Sequence, residues 1–305
     1  MSSAMLSESI TVPPHPLSLE SNSLTSRNLC ALTSQDESEV LTFLAQRPVD
    51  NSFIAGLIRD NGLISSHNRG SFYGFRNREG KLEGVALVGR KTIIETHNES
   101  ALEAFAELSL KSTLSFLLRG EQNQAERLLS YFAKTGRTPR LICYEKMLVQ
   151  NSPLEGIEEV SQLRPATYDC LQSVVDVNAL MFFEENGVNP LYVDPEGMRK
   201  RIARRIEQRR VWTWIEDGRL IFKADVITET PEAVFLEGIY VDPAERGKGV
   251  GLRCMTQLAR NLLQRSASLC LIVNEENIRA RALYKKAGYK LHSHYNTLYF
   301  SGTGE

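Results

Sequence analysis

Two apolar patterns alternate along the chain, a helical spacing of three to four and a strand-like period of two, and the order of elements they predict in the first half returns in the second. Residues 1–28 are rich in Ser and Pro, show neither period, and read as a flexible tail. A helix is expected over Asp36–Gln46 with Ser34 as its N-cap, and another over Ser52–Asp60. SFYGFRN and EGVALVGR read as strands joined by a turn at Glu79-Gly80-Lys81. Next come a helix over Ser100–Leu110, a strand near Thr113–Leu118, a helix over Gln122–Lys134 and a strand over Leu141–Val149. Pro153 and Gly156 mark 151–158 as a linker.

The second half carries clearer signals. GIEEVSQLRPA reads as a strand, followed by a helix over Tyr168–Phe183 and another opened by Asp194-Pro195-Glu196, with proline at a favourable first-turn position. VWTWIED, RLIFKADVIT and AVFLEGIYV are expected as successive antiparallel strands. A helix from about Gly249 to Gln264, the strand LCLIV and a helix over Asn277–Ala287, stopped by Gly288, follow, and YKLHSHYNTLYF closes the chain as two strands. Alternation would put Phe235, Glu237, Ile239 and Val241 on one face.

Composition narrows the setting. The 305 residues carry a formal net charge of −1, so no global basic field draws the chain to nucleic acid or acidic lipid. No apolar run is long enough to span a membrane, and no basic-then-apolar leader opens the sequence. The five cysteines are widely spaced with no C-x-x-C pair, which points to a reducing, cytoplasmic setting. The histidines are scattered, so no metal is expected.

The informative stretch is IYVDPAERGKGVGLRCMTQLARNLL, a strand, a turn at Asp242-Pro243, then Arg246-Gly247-Lys248-Gly249-Val250-Gly251 opening into a helix. A glycine-rich helix start points unpaired N–H groups outward, and with the helix dipole these make a seat for a pyrophosphate. A Walker A loop needs Ser or Thr after Gly-Lys, and Gly249 stands there. A Rossmann fingerprint needs a final glycine where Leu252 stands. The pattern [QR]-x-x-G-x-[GA] fits, through Arg246, Gly249 and Gly251. Downstream, Asn277-x-x-Ala280-x-x-Leu283-Tyr284-x-x-x-Gly288-Tyr289 supplies a second pattern at a fixed distance.

Together the two motifs resemble the GNAT superfamily of acyltransferases; the order of elements in the C-terminal half, with MFFEENGVNP after its first helix, is similar to that of double-domain members, whereas the N-terminal half departs from the pattern. The resemblance implies an α/β fold of two GNAT-like domains, each a mostly antiparallel twisted sheet flanked by helices. A degenerate domain over 29–150 would lack a cofactor loop, RGEQNQAE standing where one is sought, and a catalytic domain would span 159–305. The degenerate half would serve as a scaffold, a wall of the acceptor site or a surface for a second copy of the chain. Acetyl-CoA or a close acyl-CoA relative would be the cosubstrate and an amine the acceptor. Ile239, Tyr240, Val241 and the loop Arg246–Gly251 would hold the donor, Asn277 would cap its helix and touch the pantetheine arm, and Tyr284 would lie near the sulfur and protonate the departing thiolate.

Glu237 stands on the strand leading to the loop, where several GNAT enzymes carry the base that deprotonates the amine, with Glu184 and Glu185 in reserve; a salt-bridged strand carboxylate is the other reading of Glu237. MRKRIARRIEQRR reads as an amphipathic helix with a basic face, and Trp212 and Trp214 as packing. Two further functions keep the same donor seat: a non-catalytic acyl-CoA sensor, and an RNA-linked acyltransferase using the arginine-rich helix.

Overall fold

The computed structural model describes residues 28–112 and 117–300. The expected tail, bar its last residue, and the start of the strand expected near Thr113 lie outside the described residues. In chain order the elements are β1 (Leu29–Ala31), α1 (Glu37–Leu44), α2 (Ser52–Asn61), β2 (Gly70–Arg76), β3 (Leu82–Gly89), β4 (Lys91–Thr96), α3 (Glu99–Lys111), β5 (Leu117–Glu121), α4 (Gln122–Lys134) and β6 (Leu141–Gln150). The series continues with β7 (Arg164–Pro165), α5 (Leu171–Asn186), α6 (Pro190–Val193), α7 (Pro195–Glu207), β8 (Val211–Glu216), β9 (Arg219–Glu229), β10 (Val234–Val241), α8 (Val250–Leu262), β11 (Leu269–Asn274), α9 (Ile278–Lys286) and β12 (Lys290–Tyr299).

These elements form two compact units. The first holds residues 28–46, 57–142 and 297–300, and the second holds 47–56 and 143–296. That membership departs from a simple cut at 151–158, because β6 pairs antiparallel with β11, from Leu269 opposite Gln150 to Asn274 opposite Glu145. In both units an antiparallel meander ends in one parallel pair: β1 to β4 followed by β4–β5 in the first, β7 to β10 followed by β10–β11 in the second. The mixed sheets flanked by helices are the expected α/β fold.

Several local expectations need correction. GIEEVSQLRPA supplies only the two-residue β7, and YKLHSHYNTLYF is one strand rather than two. Thr33, not Ser34, caps the first helical turn, its hydroxyl accepting from the Gln35 N–H. β4 is an additional strand, KTIIET, which the sequence reading passed over. Its discovery moves the place where a phosphate loop would stand in the first unit. RGEQNQAE belongs to β5 and α4, whereas the loop corresponding to Arg246–Gly251 is the short His97-Asn98 before α3. There Asn98 caps the helix, accepting from the Ala101 N–H at 3.0 Å, and Glu99 puts a negative charge in the first turn. A capped, acidic helix start repels a phosphate rather than seating it.

In the second unit the sheet carries a core on each face. Trp212, Trp214, Phe222, Ala224, Val226 and Leu236 pack under α8 with Tyr284 and Tyr289. On the opposite face α5 and α7 bury Val174, Val175, Met198, Ile202 and Ile206 with Val211, and Phe235 packs edge-on against Phe53 with ring centroids 5.8 Å apart. Met198, Ile202 and Ile206 thus form the buried stripe of α7, as their spacing requires.

Candidate active site

β10 and β11 are laddered only over Val234–Leu236, opposite Leu269–Leu271. Beyond Leu236 the strands part, so the edge of β10 from Glu237 to Val241 that would face β11 has no ladder partner there. On its other side β10 stays joined to β9, but through a bulge: Glu237 stands opposite Asp225, and Tyr240 rather than Ile239 stands opposite Lys223. The extra residue reverses the alternation. Ile239 and Val241 pack toward the α8 core, whereas Glu237 and Tyr240 share the face of Asp225 and Lys223. The single face expected for Phe235, Glu237, Ile239 and Val241 is therefore broken at Gly238.

Gly238 has φ +62°, and a β-carbon there would lie 2.7 Å from Lys223 Nζ and 2.9 Å from Asp225 Oδ2. Only glycine fits. Lys223 is fully buried, and its amine donates to the Gly238 carbonyl and to Asp225 Oδ2, each at 2.8 Å. Burial pulls the Lys223 pKa below its usual range, while Asp225 and Glu237 act against that pull. Arg205 of α7 approaches Asp225 at 3.6 Å.

From the end of β10 the chain turns through Asp242, whose carboxylate accepts from the Ala244 N–H at 2.8 Å. Arg246 Nε donates to the Val241 carbonyl at 3.0 Å, folding the loop back on the strand, and Lys248 pairs with Glu245 at 3.2 Å. Gly247 and Gly249 both have φ +80°, and a β-carbon at either would meet nothing within 4 Å. Gly249 is the N-cap of α8, and no side chain caps that helix. The N–H groups of the first turn, Val250, Gly251 and Leu252, have no acceptor within the helix and open outward from it. Gly251 plays a different part, as close packing against Leu283 and Val241 leaves its position little room for a side chain.

The second motif is also local geometry. Asn277 Oδ1 accepts from the Ala280 N–H at 3.0 Å and caps α9. Tyr284 is 6% exposed, lies 5.8 Å ring to ring from Tyr289, and has its pKa raised by burial, with a smaller push from the Glu185 carboxylate. Burial also raises the Tyr240 pKa, and the charges of Asp242, Arg246 and Glu184 reach that hydroxyl. α5, whose end carries Glu184 and Glu185, packs against β10. Lys223, Asp225 and Gly238 were missed from sequence; a Lys-Ala-Asp step inside the apolar run LIFKADVI was the available signal. Among the described residues no group of three or more His, Cys, Asp or Glu could hold a metal ion, and no helix is long and apolar enough to cross a membrane.

The acetyltransferase (GNAT) family model matches residues 178–289, the stretch that holds the parting strand pair and the uncapped start of α8. That segment is similar to the GNAT family. No curated protein matches the sequence. Solved structures extend the likeness in fold beyond that segment. A Drosophila protein superposes with a TM-score of 0.66 at 14% identity, over 91% of this chain and 99% of that one. A GNAT-family acetyltransferase from Colwellia psychrerythraea gives 0.56 at 13% identity, over 90% and 99%. A tandem GNAT protein from the clavulanic acid biosynthesis pathway gives 0.54 at 13% identity, over 89% and 98%. The likeness in fold to these solved structures thus covers both units.

Proposed function

We propose that the chain is an N-acyltransferase that moves an acetyl, or another short acyl group, from acyl-CoA to an amine by direct transfer in a ternary complex. One observation carries this reading: the uncapped start of α8 stands at the end of the strand whose ladder to β11 has already stopped. The residues fit the donor's two ends. The N–H groups of the first turn, with Arg246 and Lys248, suit a pyrophosphate, and the loop glycines keep Cβ atoms out of its way. The unladdered backbone of Ile239, Tyr240 and Val241 suits a pantetheine arm, which carries amides of its own. The Oδ1 of Asn277 is committed to its helix cap, so contact with that arm would come from Nδ2. Acyl-CoA supplies the thioester.

The protein's own groups supply the rest. A typical amine is protonated at neutral pH, and Glu237, half-buried on β10, would take a proton directly or through water. Backbone N–H groups near Ile239–Val241 would polarise the thioester carbonyl. Tyr284, held protonated by burial, would deliver a proton to the departing thiolate. A panel of amines assayed for thiol release from acetyl-CoA tests the reading. Release that depends on the amine supports it; donor binding with no release on any amine would favour an acyl-CoA sensor instead.

A further inference from the structure

We infer that Lys223 is a positioning residue for acyl transfer: its buried amine pins the Gly238 carbonyl and thereby holds the β10 bulge that aims the backbone of Ile239–Val241 into the opened strand pair. The inference rests on the acyl-CoA reading of that same site.

Three features of the geometry support it. The amine is bound on one side by Gly238 O and on the other by Asp225 Oδ2, at 2.8 Å each, with no exposed side-chain surface. Gly238 takes φ +62° and leaves no space for a β-carbon against the amine, so bulge and lysine are fitted to one another. The register changes between Glu237 and Tyr240, directly beside that contact, and the backbone proposed to meet the thioester begins one residue later. Arg205 from α7 approaches Asp225, so the lysine's partner is held from a neighbouring helix as well.

An apolar pair of similar volume at 223 and 225 would fill this part of β9 at least as well as the buried ion pair, because two desolvated charges recover little net stability from one another. What an apolar pair cannot do is donate a hydrogen bond to a carbonyl inside a bulge. The direction of the Lys223 pKa agrees with this cost: burial lowers it, with Asp225 acting in opposition. The lysine touches no reacting atom in this account and acts only through the strand.

The test uses the full chain with acetyl-CoA labelled at the carbonyl carbon, read by infrared spectroscopy, and calorimetry for donor affinity. Lys223→Met alone leaves the buried Asp225 carboxylate with only the longer Arg205 contact, so Lys223→Met with Asp225→Leu serves as the variant that keeps the fold. The expected result is a displaced carbonyl stretch in the parent that returns to the free value in the double variant. Affinity for CoA would stay at the parental level, since Arg246–Gly251 is untouched, while thiol release on an accepted amine falls roughly 10²-fold. A folded double variant with the parental carbonyl stretch, or a parent that binds without any displacement, overturns the role of Lys223 and leaves donor binding standing. A parent that does not bind acetyl-CoA overturns the acyl-CoA reading itself, and the inference with it.

Discussion

Gly251 packs against Leu283: a β-carbon at 251 would come within 3.1 Å of Leu283 Cδ2 and 3.3 Å of Val241 Cγ2. The last glycine of the first motif and the leucine beside the motif tyrosine are thus one packing contact, joining α8 to α9 over the end of β10. Gly251→Ala should be nearly neutral, because the crowding atoms are the free ends of side chains and alanine gains up to about 1 kcal/mol over glycine inside a helix. Gly251→Leu should lose about 1–3 kcal/mol by overpacking. Denaturant midpoints check both. A Gly251→Leu chain as stable as the parent would show that the helices have more freedom here than the contact implies.

Cysteine reactivity tests the two cores. Burial pushes the thiols of Cys254 and Cys270 up to about 12, and both side chains are fully buried. The thiolate is the reacting form, so at pH 8 neither should react with a thiol reagent in the folded chain, and both should react once it is unfolded. Cys30, Cys143 and Cys170 are only partly buried. Labelling of Cys270 at pH 8 without denaturant, located by mass spectrometry, would contradict the packing of Phe235 and Met147 around it.

Tyr284→Phe separates a proton donor from a packing ring. The ring sits in the α8 core beside Tyr289, and phenylalanine keeps its shape. If the hydroxyl protonates the leaving thiolate, kcat falls about 10²-fold with little change in CoA affinity. Equal kcat at saturating acceptor would remove the hydroxyl from the mechanism and leave Tyr284 as core. The raised pKa sets the sign of any pH effect: the phenol remains protonated through the neutral range, so ionisation of Tyr284 should not cause loss of rate between pH 7 and 9.

What the sequence disclosed follows from the range of the interactions. The glycine turn that opens α8, the Asn277 cap and the buried stripe of α7 depend on residues within a few positions of one another, and all three stand where the spacing puts them. β6 was legible as a strand, but its partner β11 lies more than a hundred residues away, and periodicity holds no record of pairing. A cut at 151 would strip β6 from the sheet it completes, so the two halves are unsuitable for separate binding assays. The bulge was hidden for a related reason. Glu237 to Val241 read as regular alternation, and the lysine that requires the irregularity sits on the neighbouring strand. β4, whose KTIIET shows no clean alternation, shifts the place of the corresponding loop in the first unit by a whole element.

The central claim is that the start of α8 seats the donor's pyrophosphate, and calorimetry of the full chain with acetyl-CoA tests it most directly when Gly249→Glu is run beside the parent. Open space around position 249 confines the structural cost to the left-handed backbone, about 1–2 kcal/mol, while the new carboxylate opposes the phosphates. The account predicts one site per chain in the parent, since the equivalent helix start in the first unit is capped by Asn98, and no measurable binding in a folded Gly249→Glu chain. Undiminished affinity in that folded variant, or two sites in the parent, would contradict it.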